Sequence, residues 1–245
     1  MSAEILGRPE PQNPKQILFI GNSYISHNDS LYNYVKRIAA KASNESARRY
    51  KFKSITISGS YLKHHFIESY LEKGRLGLST PFDYVILQGN SSVYSTKKKR
   101  IEFLEQVSFF ANEIKQKNSK TALYMTPAYV APHNKASKTM MEKVQKLYEE
   151  AGDLNNSIVI PVGLSFKKAY EINPKIQLHK DDGSHPSVLG TYLAAATVFA
   201  TLYGKSPENN EYDHFGLIKP EELVFLQKVA NDTVEEYFAN LNWVF

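Results

Sequence analysis

Short apolar, β-branched runs recur along this chain at 16–20, 54–58, 84–88, 122–126 and 158–162, with helically periodic segments between or after them. Such runs suit strands covered on both faces, and strand–helix alternation of this kind builds a parallel sheet. Helices are expected at 31–42, 99–116, 137–151, 187–203 and 220–241. In the last of these, Leu223, Leu226, Ala230, Val234, Tyr237 and Leu241 recur at three- and four-residue steps. Met140, Met141, Val144, Leu147 and Tyr148 repeat that pattern earlier, so both stripes read as core packing. The fold class is α/β: a three-layer α/β/α sandwich on a parallel sheet of about five strands.

The chain has 245 residues, 42% hydrophobic and 22% charged, which is enough for one sizeable core. Neither internal repeats nor low-complexity linkers divide it, so a single domain is expected over 16–245 after an N-terminal extension, 1–15. The formal charge of +5 is small for this length, and Lys97-Lys98-Lys99-Arg100 reads as a solvated helix start. No nucleic-acid partner is expected, while anionic substrates stay open. The absence of cysteine excludes disulfides and a thiol nucleophile. No apolar run reaches membrane-spanning length, and residues 1–15 are polar and proline-bearing, unlike a signal peptide. The expectation is a cytoplasmic protein as the chain stands, or an extracytoplasmic one if a leader has been removed.

Chemistry enters at two places. Ser23 directly follows the first apolar run, in Ile20-Gly21-Asn22-Ser23-Tyr24, which puts its hydroxyl at the carboxyl end of a buried parallel strand. Open α/β sheets bind their ligands there. Far downstream the chain reads Asp182-Gly183-Ser184-His185-Pro186. A serine hydroxyl needs a base to take its proton, and an imidazole oriented by a carboxylate is the usual one. Asp182 and His185 can meet within a single turn, so the global fold has only Ser23 to bring in. Pro186 is expected to open the next helix.

At these residues the chain resembles the SGNH, or GDSL-like, hydrolases, in particular a poorly characterised bacterial branch. Gly21-Asn22-Ser23-Tyr24 stands for the family's Gly-Asp-Ser-Leu block, and Asp182-x-x-His185 for its terminal Asp-x-x-His. The resemblance covers roughly 16–204 and implies a flavodoxin-like three-layer sandwich. It also implies two further site residues. Gly59, after a β-branched run, would offer a backbone N–H to an oxyanion, and Asn90 a side-chain amide; Ser23 would give its own N–H. The flanks of Asn90, Gln88-Gly89-Asn90-Ser91, depart from the family's Gly-x-Asn-Asp.

Each residue also has a plainer use. Ser23 alone reads as a helix cap, His185 as a surface or cap histidine, Asn90 as a turn residue and Gly59 as a site of positive φ. The adjacent His64 and His65 cannot share a metal from one helix and read as solvent-exposed. Asp181 lacks the Asp-x-x-His spacing and reads as a cap or surface acid, and His27, Asp29 and His179 are candidates for the mouth of the site. Gly204-Lys205-Ser206 is not a P-loop, because Phe199 stands where its first glycine would be. There is no dinucleotide fingerprint, no nucleophile elbow and no zinc-binding helix.

The expected function is therefore a serine hydrolase that cleaves acyl esters through an acyl-enzyme on Ser23, without cofactor or metal. Its substrate would be a small-molecule or carbohydrate acyl ester, acetylated sugars included. The alternatives are a non-catalytic carbohydrate-binding module of the same fold, or an acyltransferase using the same intermediate.

Overall fold

The computed structural model describes residues 12–241. Five strands form one wholly parallel sheet in the order β2-β1-β3-β4-β5: β1 Ile17–Gly21, β2 Lys53–Thr56, β3 Tyr84–Leu87, β4 Lys120–Tyr124 and β5 Ile158–Ile160. β1 and β3 are buried along their whole length, as expected of runs with no polar face. The helices are α1 Ser23–Ser26, α2 Leu31–Ala42, α3 Ile67–Tyr70, α4 Lys97–Gln116, α5 Met140–Asn155, α6 Val162–Ile172, α7 Val188–Tyr203 and α8 Pro220–Leu241.

The strand order makes the layers. From β1 the chain moves outward to β2, then returns past β1 to β3 and continues to β4 and β5 on the other side. Right-handed crossovers running in opposite directions put their helices on opposite faces, so α2 lies on one face and α4 and α5 on the other. α7 packs on α2, α6 and α8, and α4 on α5 and β4. Every residue of α7 from Gly190 to Tyr203 is buried, the pattern of a helix enclosed on all sides. The order in which strands are added reverses between β1 and β3, and at the carboxyl ends of these strands such sheets open a crevice.

Residues 1–11 of the expected N-terminal extension lie outside the described residues. The remainder is fastened to the domain: the Gln12 amide donates to Tyr203 O at 3.2 Å, and the Tyr203 hydroxyl to Pro14 O at 2.8 Å. α6 has no counterpart among the helices expected from sequence, and it begins at Val162, where the last apolar run ends. Pro161 ends β5 and the helix begins at once, with Val162, Phe166 and Ala169 on its buried side. Among the described residues no helix is long and apolar enough to cross a membrane.

Candidate active site

β1 ends at Gly21, and Asn22 turns the chain. Its backbone is extended, its side-chain oxygen accepts the Tyr24 amide at 3.2 Å, and its carbonyl accepts the Ile25 amide at 3.0 Å. Asn22, not Ser23, is thus the cap of the single-turn helix α1, and Ser23 is its first residue. The Ser23 N–H takes no protein acceptor among the described residues, as befits one of the orphan donors of a helix start.

His185 and Asp182 arrive on the loop between α6 and α7. Asp182 Oδ1 accepts the amides of Ser184 and His185 at 2.8 and 2.9 Å, and Oδ2 lies 2.5 Å from His185 Nδ1. His185 Nε2 lies 2.9 Å from Ser23 Oγ. An ionised carboxylate only accepts hydrogen bonds, so Nδ1 carries the ring proton and the Nε2 lone pair faces the serine hydroxyl. Partial burial works against the Asp182 charge, but the bonds from the His185 ring and the two amides prevail and hold this carboxyl well below the usual range.

Gly183 makes the turn possible: its φ is +64°, and a Cβ there would overlap the Val130 carbonyl oxygen. Pro186 does not open the following helix. It pairs with His179 in an isolated antiparallel bridge, and the helix starts two residues later with Ser187 as its cap, accepting the Gly190 amide at 3.1 Å. The bridge aligns the strand-like flanks of the turn, which a proline in a first helical turn would not do. Tyr24 closes the other side of the loop, its hydroxyl 2.8 Å from Ser184 Oγ and its pKa pushed up to about 12, chiefly by burial.

Gly59 and Asn90 meet, in a different arrangement from the one expected. Gly59 has φ +67° and is exposed beyond β2; its N–H takes no protein acceptor among the described residues. Asn90 Nδ2, expected to face an oxyanion, instead donates to Gly59 O at 3.0 Å and Ser60 O at 3.3 Å. Its Oδ1 accepts from the Ser92 amide and hydroxyl at 3.0 and 2.8 Å, so the turn role is met as well. Ser92 Oγ in turn accepts from Lys99 Nζ at 3.0 Å and lies 2.9 Å from the Tyr61 hydroxyl. Lys99 is therefore half-buried at the start of α4, not solvated like its neighbours Lys97 and Lys98.

The remaining histidines separate. His64 is exposed as expected, but His65 is buried, with Nε2 3.0 Å from Ser60 Oγ. A short 3-10 turn over Leu62–His64, where a helix was read, rolls His65 inward. Asp181 is exposed. His27, a candidate for the mouth of the site, stacks on the His185 ring, centroids 4.5 Å apart and planes at 11°. His179 lies beneath the surface against Phe166 and Tyr170, bonded to the Tyr170 hydroxyl. Asp29, in the loop before α2, accepts from Asn33 Nδ2 through its carbonyl and Oδ1.

A five-stranded parallel sheet of this order between helical layers is the fold of solved structures described as SGNH, or GDSL-like, hydrolases. Solved structures bear the likeness out. A DUF4886 family protein from Bacteroides uniformis superposes with a TM-score of 0.70 at 19% identity, covering 89% of this chain and 94% of the other. A protein assigned to the SGNH hydrolases from Slackia heliotrinireducens gives 0.62 at 19%, covering 77% and 99%. An acetyl xylan esterase gives 0.57 at 16%, covering 76% and 98%. No protein-family model matches the chain, and no curated protein sequence matches it.

Proposed function

We propose that the protein is a serine hydrolase acting on acyl esters. The observation that carries this reading is the continuous contact Ser23 Oγ to His185 Nε2 to His185 Nδ1 to Asp182, at 2.9 and 2.5 Å. A binding module has no use for a hydroxyl, a base and an orienting acid in that order.

In the reaction, His185 Nε2 takes the Ser23 proton as Oγ attacks the ester carbonyl carbon. The carbonyl π-electrons move to oxygen, and the N–H groups of Ser23 and Gly59 stabilise the anion. Collapse breaks the bond to the leaving alkoxide, which takes the proton from His185 and departs as the alcohol. His185 next removes a proton from water, whose oxygen attacks the acyl carbon, and Ser23 leaves with that proton as the carboxylic acid is released. Asp182 remains ionised and keeps the ring in one tautomer. Asn90 acts on the site through the carbonyls of Gly59 and Ser60. Esters are favoured over amides because alkoxide is the better leaving group, and the esterase among the structural neighbours supports an acylated carbohydrate as substrate.

The test is covalent labelling of the whole protein by a fluorophosphonate, with mapping of the modified residue. The expected adduct is on Ser23, absent in Ser23→Ala and strongly slowed in His185→Ala. An adduct elsewhere, or equal labelling of the His185 variant, would overturn the reading.

A further inference from the structure

His27 caps the carboxyl end of α1, its amide donating to Ser23 O, and its ring lies flat against that of His185. It is also tied from outside: Lys180 Nζ lies 2.9 Å from His27 Nδ1. An ammonium can only donate, so Nδ1 must present its lone pair and the ring must be neutral. Lys180 itself lies on the loop that carries the Asp182–His185 turn, its amide donating to His185 O at 2.8 Å. One loop therefore supplies both the base and the cation that fixes the base's stacking partner.

We infer that His27 is a positioning residue for the reaction: held neutral by Lys180, it supports the face of the His185 ring and stabilises the imidazolium that forms when His185 takes the Ser23 proton. The inference rests on the reading of Ser23 and His185 given above. A neutral aromatic face attracts a cation, whereas a protonated His27 would repel one. The groups that act on His27 agree with this role. Burial, then the Lys180 charge, then His185 push its pKa down, and Asp182 alone pulls it up. Tyr24 also contacts the His185 ring, tilted by 40° with ring centroids 5.6 Å apart, so the imidazole has two ring neighbours as well as partners at both nitrogens.

The experiment is the pH dependence of the fluorophosphonate labelling rate of the whole protein. Labelling must first map to Ser23; if it does not, the functional reading falls before His27 is tested. Given that, His27→Ala slows labelling on the pH plateau about 3- to 10-fold, while His27→Phe, which keeps a stacked ring, stays within about twofold of the parent. Lys180→Met lets His27 protonate more readily, so the acidic limb of the profile moves to higher pH. The same Lys180→Met change made in His27→Phe leaves that limb in place, because no second imidazole remains to titrate. Parent-like labelling by His27→Ala, or a His27→Phe variant as slow as His27→Ala, would overturn the inference. So would an equal limb shift in both backgrounds, since Lys180 would then act on His185 directly. If His27→Ala does not fold, His27→Phe with and without Lys180→Met still decides the matter.

Discussion

The carboxamide oxygen of Gln88 accepts the Asn22 amide hydrogen at 2.9 Å, and the same side chain fills the space that a Cβ on Gly21 would need. Two adjacent parallel strands, β1 and β3, are thereby locked together at their carboxyl ends, one residue before Ser23. The Gln88 Nε2 also donates to Gly89 O, so both the oxygen and the nitrogen of the carboxamide bind backbone at the turn.

Gly21→Ala therefore pushes Gln88 out of place and brings the new methyl within 2.8 Å of Ile25 Cδ1. The expected loss is about 1–3 kcal/mol in urea unfolding, with slower labelling of Ser23. Adding Gln88→Ala to Gly21→Ala should recover part of the packing loss while removing the acceptor for Asn22. A fully stable Gly21→Ala would show that the turn has room to spare.

Asp182→Asn separates structure from chemistry. Its side-chain oxygen can still accept the Ser184 and His185 amides, so the turn should persist, and the variant should lose near neutral pH only the stability that the carboxylate charge contributes. Its NH₂ cannot accept from Nδ1–H, which favours the wrong imidazole tautomer, and kcat should fall by about 10⁴. Asp182 stays ionised well below the ordinary carboxylate range, so its contribution to stability is complete above the unfolded carboxylate value and is lost only as pH falls through its depressed folded value. The stability difference between the parent and the asparagine variant should therefore be constant near neutral pH and close only as pH falls through that low window. An Asp182→Asn enzyme of parental kcat would remove Asp182 from the mechanism.

Asn90 and Gly59 should behave as one unit. Asn90→Ala frees the carbonyls of Gly59 and Ser60 and loosens the Gly59 N–H, lowering kcat by less than the roughly 10²–10³ expected when a direct oxyanion donor is removed. Gly59→Ala meets no atom within 4 Å but is strained at φ +67° by about 1–2 kcal/mol. If Asn90 works through Gly59, the double variant loses less than the product of the two single losses. Multiplicative kinetics with a full 10²–10³ loss in Asn90→Ala would instead make its amide a direct donor.

The residues that sequence could point to are those bound by local geometry. Asp182 and His185 close one turn, and Ser23 follows an apolar run that has no alternative to being a buried strand. The ends of elements were harder. β4 begins at Lys120, two residues before its apolar run, because the ladder pairs Lys120 with Tyr84 whatever the polarity of its side chain. Thr126, read as strand, is fully buried yet lies past the ladder, so burial and hydrogen bonding end at different residues. α6 starts immediately after Pro161, with no turn residues to announce it. The contacts that shape the site most were the least legible: sequence offered His27 only as a candidate for the mouth, and neither its stacking on His185 nor the Lys180 contact follows from spacing, because these side chains come from segments far apart in the chain.

His179 gives the last prediction, because its burial makes stability depend on pH with a definite sign. Burial lowers its pKa to about 4, while the unfolded chain restores an ordinary imidazole near 6.5. As pH falls below the unfolded value, the unfolded state takes up a proton that the folded state refuses, so stability present above that value is lost down to the folded pKa. Over this window the difference in unfolding free energy between the parent and His179→Phe should shrink by roughly 3 kcal/mol, since phenylalanine binds no proton in either state. Phenylalanine also keeps the ring between Phe166 and Tyr170, so the comparison isolates titration from packing. Urea unfolding of both proteins at steps from about pH 7.5 to 4 measures the difference directly. A difference that does not vary with pH would mean that His179 is reached by solvent and titrates as freely in the folded protein as in the unfolded chain.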